Sequence, residues 1–283
     1  GILSRYDSAG WTTIAASNGI PAPKVAFAAL VPDTDNARLR LYGGWDGTTV
    51  KANEWSFANN AWANFLVSGV AGPREGAVAV RNAAESRLLL FGGQNATALA
   101  DFTYESANGS TPFVQMTDAT LPPLRRDHGL AYDEAAQRVL LFGGRPCLRG
   151  ETCTPFADVW QRASGVWSPV TTSGTAPDAR WAHGIAFDAA RGVTVVYGGR
   201  NESNVFGDTF ELHTNEWVRT VPTGKGPPAR AHAALAYDPV RAVTVLFGGV
   251  ANAVEPENEP THFGDTWEYA TVDLSCTTGT DCD

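Results

Sequence analysis

The chain is organised around an apolar strand that ends in a pair of glycines and occurs five times. The first glycines of the five pairs lie 49, 51, 55 and 50 residues apart, at Gly43, Gly92, Gly143, Gly198 and Gly248. A period of about 50 residues is typical of repeat architectures, in which each copy folds as one small unit and buries its apolar face against its neighbours. The sequence therefore predicts five similar units.

Each unit carries the pattern of four short strands. A proline and, in four of the units, an arginine precede the first strand; the residues at this arginine position are Val25, Arg74, Arg125, Arg180 and Arg230. An Asp or Asn ten residues before the first glycine is typical of the tight turn into the glycine strand. A third strand built around an aromatic residue follows, and in three units a fourth strand begins at Trp62, Trp167 or Trp217.

The glycine strand is apolar over nearly its whole length, as in the run from Val195 to Tyr197. A strand that is covered on both faces shows this pattern, whereas a strand with one exposed face alternates between apolar and polar residues. Four short antiparallel strands per unit, with a large aromatic residue recurring in each, are typical of the blade of a β-propeller.

These motifs resemble the kelch-repeat family, as in galactose oxidase-like central domains of the secreted bacterial type, over residues 20–270. The resemblance implies an all-β propeller of four-stranded antiparallel blades in residues 1–272, followed by a tail at 273–283. The five expected blades lie at about 20–68, 70–118, 121–172, 176–222 and 226–272. Residues 1–16 look like part of a blade, and Trp11 to Ile14 would close the ring as the fourth strand of the last one. Six blades remain the alternative, if a half blade is missing or comes from another chain.

Charge and cysteine usage restrict the partners and the compartment. A net charge of −9 and a pI near 5 disfavour nucleic acid, whose phosphates require a basic surface. No apolar run is long enough to span a membrane. The cysteines form two close pairs, Cys147 with Cys153 and Cys276 with Cys282, without the spacing of a zinc site. Two local disulfides are the better interpretation, and they predict an extracellular, periplasmic or cell-surface location.

Departures from the repeat indicate where a ligand would bind. The loops after the glycine pairs have 8, 7, 13, 8 and 15 residues, so the third and fifth are enlarged. Loops on a rigid framework commonly carry function, which makes this face the candidate binding face. The candidate rim residues are Trp45, Asp46, Gln94, Asn95, Arg145, Arg149, Glu151, Trp181, Arg200, Glu202 and His262. Trp181 could equally cap the hydrophobic core.

Repeated positions are expected to serve the fold instead. The arginines that open the units are interpreted as structural residues that fix loops or pair with the acidic residue opening the third strand. The histidines near them, His128, His183 and His232, are also interpreted as structural. The fifth loop carries Glu255, Glu257 and Glu259, which are weak candidates for a calcium site because no recognisable ligand spacing accompanies them. No other cofactor is expected.

Three classes of function remain open from the sequence. The favoured hypothesis is a recognition module that binds a protein or a glycan through the loops after the glycine strands. A secreted sugar-acting enzyme, such as an oxidase or a mutarotase, is the first alternative, although no catalytic constellation can be recognised. The second alternative is a structural domain of a larger surface assembly, and the chain would then belong to a longer multidomain protein.

Overall fold

The computed structural model describes residues 3–7, 9–65, 71–100, 102–107, 112–221, 224–251 and 261–270. These residues form a five-blade propeller of antiparallel sheets, and the regular structure besides strands is one short 3-10 helix at Thr34–Asn36. The predicted fold class is therefore confirmed.

The strands follow the predicted order along the chain. An N-terminal hairpin, β1 (Leu3–Asp7) and β2 (Gly10–Ile14), precedes the five sheets. The first sheet contains β3 (Ala29–Asp33), β4 (Arg38–Tyr42), β5 (Glu54–Ala58) and β6 (Ala61–Phe65). The second contains β7 (Val78–Asn82), β8 (Arg87–Phe91), β9 (Thr103–Ala107) and β10 (Val114–Gln115). The third contains β11 (Gly129–Asp133), β12 (Arg138–Phe142), β13 (Val159–Ala163) and β14 (Val166–Val170).

The last two sheets depart slightly from this pattern. The fourth contains β16 (Gly184–Asp188), β17 (Val193–Tyr197), β18 (Thr209–His213) and β19 (Glu216–Thr220), and β15 (Ser173–Gly174) pairs parallel with β19. The fifth contains β20 (Ala234–Asp238), β21 (Val243–Phe247) and β24 (Thr266–Tyr269). The short strands β22 (Val250–Ala251) and β23 (Thr261–His262) pair with each other.

The first strand of each blade lies innermost, and the inner strands of consecutive blades contact each other in the order β3, β7, β11, β16, β20. The glycine strand is the second strand of each sheet, counted from the axis. It therefore lies between two strands of its own sheet and between two neighbouring sheets. Every residue of β12 and of β17 is buried, as the nearly continuous apolar pattern predicts.

Large aromatic residues pack between consecutive sheets. Trp167 on β14 lies 5.3 Å from the Phe91 ring of the preceding sheet, and its Nε1 donates to the Thr103 hydroxyl at 2.8 Å. Trp217 on β19 repeats this packing against Phe142 at 5.1 Å. Both indoles are almost fully buried, so they stabilise the interface between blades and are not available to a ligand.

The repeated arginines hold the end of the glycine strand in place. Arg125, Arg180 and Arg230 are fully buried, and the Nη1 of each donates to the carbonyl of the first glycine of its pair. Each guanidinium also binds the carboxylate that opens the third strand, at Asp158, Asp208 and Asp265. The predicted pairing of these arginines with the acidic residue is confirmed in the third, fourth and fifth blades.

The glycine pair itself is required by close backbone approach. Gly143 has φ of +63°, and a Cβ at this position would lie 2.6 Å from the carbonyl oxygen of Arg180 in the next blade. Any other residue would be strained by the φ value and would collide with that carbonyl. The doublet therefore marks where one blade meets the next.

The N-terminal hairpin contacts the fifth sheet through side chains. Nε1 of Trp11 donates to the Thr266 hydroxyl at 2.7 Å, and the hydroxyl of Tyr6 lies 3.1 Å from Oε1 of Glu268. Within the described residues β2 pairs with β1 and not with β24, so Trp11–Ile14 does not extend the fifth sheet as the predicted fourth strand.

The predicted disulfide between Cys147 and Cys153 is present. The other predicted pair, Cys276 and Cys282, and the predicted tail at 273–283 lie outside the described residues. No helix in the described part of the chain is long and apolar enough to cross a membrane.

Candidate functional site

Five backbone positions encircle the propeller axis on the face of the long loops. They are Phe27, Gly76, Asp127, Ala182 and His232, each two residues after the arginine position of its blade. The backbone N–H groups of the last four donate in turn to the carbonyl oxygen of the preceding member, at 2.8–2.9 Å. All five have φ between 54° and 65°, a left-handed conformation that is strained for Phe and Ala. Such strain is often found where a fold builds a functional site.

Above this axial ring, each blade contributes a pair of residues joined by backbone hydrogen bonds. One residue directly follows the arginine position, and the other directly follows the glycine pair. The pairs are Ala26 with Trp45, Glu75 with Gln94, Arg126 with Arg145, Trp181 with Arg200, and Ala231 with Val250. Their backbone geometry is repeated in all five blades, whereas their side chains differ. This is the arrangement expected of a site built on a repeated framework.

Ten of these fifteen positions line a pocket of about 550 Å³. We call it the axial pocket; it is lined by Phe27, Trp45, Glu75, Gly76, Arg126, Asp127, Arg145, Arg149, Gly150, Glu151, Thr152, Trp181, Arg200, Glu202 and His232. A groove of about 610 Å³ adjoins it over the first two blades and shares Trp45, Arg149 and Glu151 with it. The size and the polar lining suit a ligand segment rather than a single ion.

Two aromatic–guanidinium stacks form the wall of the axial pocket. The indole of Trp181 is 2% exposed and lies 4.7 Å from the guanidinium carbon of Arg145 and 5.2 Å from that of Arg200. On the opposite side, the Arg149 guanidinium lies 4.1 Å from the Trp45 ring. Trp181 therefore positions the arginines and does not present an exposed aromatic platform.

Glu75 anchors the second blade's side of the axial pocket. Its Oε1 accepts hydrogen bonds from Gln94 at 2.7 Å and from Arg149 at 2.5 Å, while Oε2 is buried without a hydrogen-bond partner among the described residues. The side chain is only 2% exposed. A buried carboxylate oxygen without a partner is energetically unfavourable, and a ligand N–H could satisfy it.

Arg126 supplies the complementary group. Its Nε donates to the carbonyl of Cys147 and its Nη1 to Asp127, both at 2.8 Å, but its buried Nη2 has no hydrogen-bond partner among the described residues. Burial lowers the pKa of this guanidinium, although Asp127 opposes the effect. An arginine remains charged in proteins, so Nη2 is an unsatisfied charged donor beside the pocket.

The disulfide loop covers part of the axial pocket. Within residues 147–153, Oε2 of Glu151 accepts the N–H of Leu148, and the N–H of Arg149 donates to the Gln94 side chain, both at 2.9 Å. The third blade's loop therefore reaches the second blade, while the Arg149 side chain reaches Trp45 of the first. The Cys147–Cys153 bridge constrains the segment that carries Arg149.

The candidate residues fall into two groups in the structure. Trp45, Arg145, Arg149, Glu151, Trp181, Arg200 and Glu202 meet at the axial pocket, and Gln94 and Asn95 line the adjoining groove.

Asp46 and Asn95 have a local structural role. The carboxylate of Asp46 accepts the N–H groups of Thr48 and Thr49, and hydrogen bonding to Lys51 holds its pKa well below the usual range. The amide of Asn95 accepts the N–H groups of the corresponding turn. His262 lies exposed on β23 and does not line the axial pocket or its groove.

Sequence reasoning missed Phe27, Glu75, Arg126, Asp127 and His232 as pocket residues. The sequence does contain a feature that could have identified these residues. The two positions after each repeated arginine vary from blade to blade. His232 was grouped with His128 and His183, but it occupies a different repeat position at the mouth of the pocket.

His128 and His183 belong to the framework. His128 packs 5.6 Å from the Phe91 ring and His183 5.1 Å from the Phe142 ring. Burial holds the pKa of His128 well below its usual range and lowers the pKa of His183 to about 3, with nearby Arg125 and Arg180 adding to the respective effects. Both imidazoles are therefore neutral at physiological pH.

The described residues contain no cluster of three or more His, Cys, Asp or Glu side chains that could hold a metal ion. The calcium candidates Glu255, Glu257 and Glu259 lie outside these residues, so that hypothesis is not tested.

Comparison with known families identifies a repeat domain in this chain. The model of the KLHDC2/KLHL20/DRC7 Kelch-repeats domain matches residues 97–280, which is more than half of the chain. No curated protein matches the chain significantly.

Proposed function

The chain belongs to the Kelch-repeat family, whose propellers commonly bind proteins, and we propose that it is an extracellular or cell-surface recognition module that binds a polypeptide segment in the axial pocket. The observation that carries this proposal is the unsatisfied pair on the pocket wall, Nη2 of Arg126 and Oε2 of Glu75. A ligand that provides an acceptor and a donor together satisfies both.

A polypeptide offers this combination in a way that suits the pocket. A carboxylate side chain can accept from the Arg126 guanidinium, while a main-chain N–H donates to Glu75. Charge-assisted hydrogen bonds of this kind are about twice as strong as neutral ones. Arginine, which lines the axial pocket at Arg145 and Arg200, is also among the residues that most often dominate binding energy at protein interfaces.

The disulfide supports a location outside the cytoplasm, because such bonds persist mainly in oxidising compartments. It also supports binding, since a constrained loop loses less conformational entropy when a ligand orders it. The proposal assigns the contact surface to the axial pocket and its adjoining groove.

The test is an array of immobilised peptides that differ only in charge, probed with the protein and with Arg126→Gln. We expect binding to acidic peptides and not to lysine-rich or neutral ones, and a loss of that binding in the variant. A glycan array probed in parallel distinguishes a glycan ligand from the proposed polypeptide. Binding to uronic or sialic acid glycans, without binding to any peptide, would replace the polypeptide with a sugar. Peptide binding that Arg126→Gln leaves unchanged would place the site elsewhere.

A further inference from the structure

Arg149 lies at the boundary between the axial pocket and the adjoining groove, and it lines both. The two cavities differ in charge. Eight of the fifteen residues that line the axial pocket are charged, whereas the charged residues of the groove lining are Arg149 and Glu151. The rest of the groove lining is uncharged and includes Thr48, Val50, Pro73, Ala96, Thr97 and Leu148. A ligand segment that spans both cavities would therefore place charged groups in the axial pocket and an uncharged side chain in the groove.

The guanidinium of Arg149 is held along its edge and on one side. Its Nη2 donates to Oε1 of Glu75 at 2.5 Å, and its central carbon lies 4.1 Å from the centre of the Trp45 ring. The main-chain N–H of the same residue donates to Gln94, and the disulfide Cys147–Cys153 closes the loop that carries it. Because the group is already constrained, little conformational entropy is lost when a ligand contacts it.

The side of this guanidinium away from Trp45 is uncovered. The Arg149 side chain is 33% exposed, although its partner Glu75 is 2% exposed. Within the described part of the chain, no second aromatic ring contacts the Arg149 guanidinium. A guanidinium is planar and weakly hydrated, so an uncovered face stacks favourably on an aromatic ring.

A guanidinium with two aromatic contacts already occurs in this chain. The central carbon of Arg180 lies 4.1 Å from the Phe206 ring and 5.4 Å from the Phe210 ring. Arg149 has one such contact, with Trp45. A ring that a ligand brings into the groove would supply the second.

We propose that Arg149 selects a ligand with an aromatic side chain close to its acidic residue, and that this ring enters the groove and stacks on the Arg149 guanidinium. The inference rests on the proposed function, because the acidic residue in the axial pocket places the segment across Arg149. The uncharged wall of the groove accommodates the ring, while Trp45 and Glu75 hold the guanidinium from its other side and along its edge. Arg149 is thereby a residue that determines specificity for phenylalanine, tyrosine or tryptophan.

The probe is the acidic peptide that binds best on the charge array, capped at both ends, with alanine at the two positions on either side of its acidic residue. Phenylalanine or cyclohexylalanine then replaces one of these alanines at a time. Cyclohexylalanine has the size of phenylalanine and is at least as apolar, but it lacks the π electrons. At one of these positions we expect phenylalanine to bind at least about fivefold more tightly than cyclohexylalanine, as measured by fluorescence polarisation.

Arg149→Lys tests where the ring binds. Lysine keeps the charge but presents a compact ammonium instead of a planar group, so the preference for phenylalanine over cyclohexylalanine should fall to about twofold or less. Arg219→Lys, at an exposed arginine on the outer strand β19, is the matched control and should keep the wild-type preference. The preference is a ratio between two peptides on the same protein, so partial misfolding of a variant does not alter it.

Three outcomes would contradict the inference. Equal binding of the two peptides, or tighter binding of the cyclohexylalanine peptide, would show that the groove recognises apolar surface alone, while the proposal of an acidic peptide would stand. A phenylalanine preference that Arg149→Lys leaves unchanged would place the ring elsewhere. If no acidic peptide on the array binds, the proposed function fails and this inference fails with it.

Discussion

Arg125 and Arg126 are neighbours in the chain and both are buried, but their surroundings differ. The guanidinium of Arg125 binds the Gly143 carbonyl and both oxygens of Asp158, and it stacks 4.1 Å from the Phe156 ring. The guanidinium of Arg126 faces the axial pocket and leaves Nη2 without a partner. The first environment recurs in other blades and the second does not. Repeated positions therefore stabilise the propeller, whereas positions that vary between blades build the site.

The largest effect is expected at a repeated arginine. Arg180→Ala removes the guanidinium that binds the Gly198 carbonyl and Asp208, and leaves a carboxylate in a largely buried place without its counter-charge. Breaking a buried ion pair in this way costs about 3–5 kcal/mol. Chemical denaturation measures the loss. Arg219→Ala, on the outer strand β19, is the control, and an equal loss there would contradict the distinction.

The buried histidines predict a specific dependence on pH. His128 and His183 have folded-state pKa values below their unfolded values, so the unfolded chain binds more protons as the pH falls below about 6.5. Below this pH, protonation of each histidine in the unfolded chain lowers the free energy of unfolding by up to about 1.4 kcal/mol per pH unit. Above it the stabilisation from the neutral, buried histidines is fully present.

The stability of the wild type and of His183→Gln, measured between pH 7 and pH 5, tests this dependence. As the pH falls, the free energy of unfolding of the variant should decrease less steeply than that of the wild type. The difference in slope should correspond to the uptake of nearly one proton on unfolding. Identical slopes would show that His183 does not titrate on unfolding.

The disulfide loop is expected to contribute both to stability and to binding. Replacing both Cys147 and Cys153 with Ser should lower stability by about 2 kcal/mol, because the closed loop is short. Peptide binding should weaken as well, since Arg149 is no longer constrained beside Trp45. Denaturation and peptide binding at 25 °C check both effects. Unchanged binding would confine the disulfide to a structural role.

The repeat was readable because glycines, prolines and buried aromatics recur where the fold requires them. The spacing of Gly43 to Gly248 predicts the blades, and the arginine–aspartate pairing follows from positions shared by the units. The enlarged third loop lines the axial pocket through residues 149–152, while its predicted role in binding stays a prediction.

The rest of the site is formed by residues that are far apart in the chain. The spacing of the repeat does not show which of them meet in space. Glu75 and Gln94 are 19 residues apart, and both meet Arg149, which comes from another blade. Asp46 and Asn95 have the composition of ligand-binding residues, yet they stabilise turns of their own loops. Trp181 is buried by arginines from two blades, which no pattern within its own unit predicts.

The most direct test of the account compares Arg125→Gln with Arg126→Gln in two measurements on each protein: the free energy of unfolding and the affinity for an acidic peptide selected on the array. Arg125→Gln is expected to be strongly destabilised while its folded fraction binds as the wild type does. Arg126→Gln should lose at least about tenfold in affinity, equivalent to about 1.4 kcal/mol, with the smaller loss of stability. If both variants lose stability alone, or if Arg125→Gln has the larger binding defect, the division between repeated and varying positions is wrong.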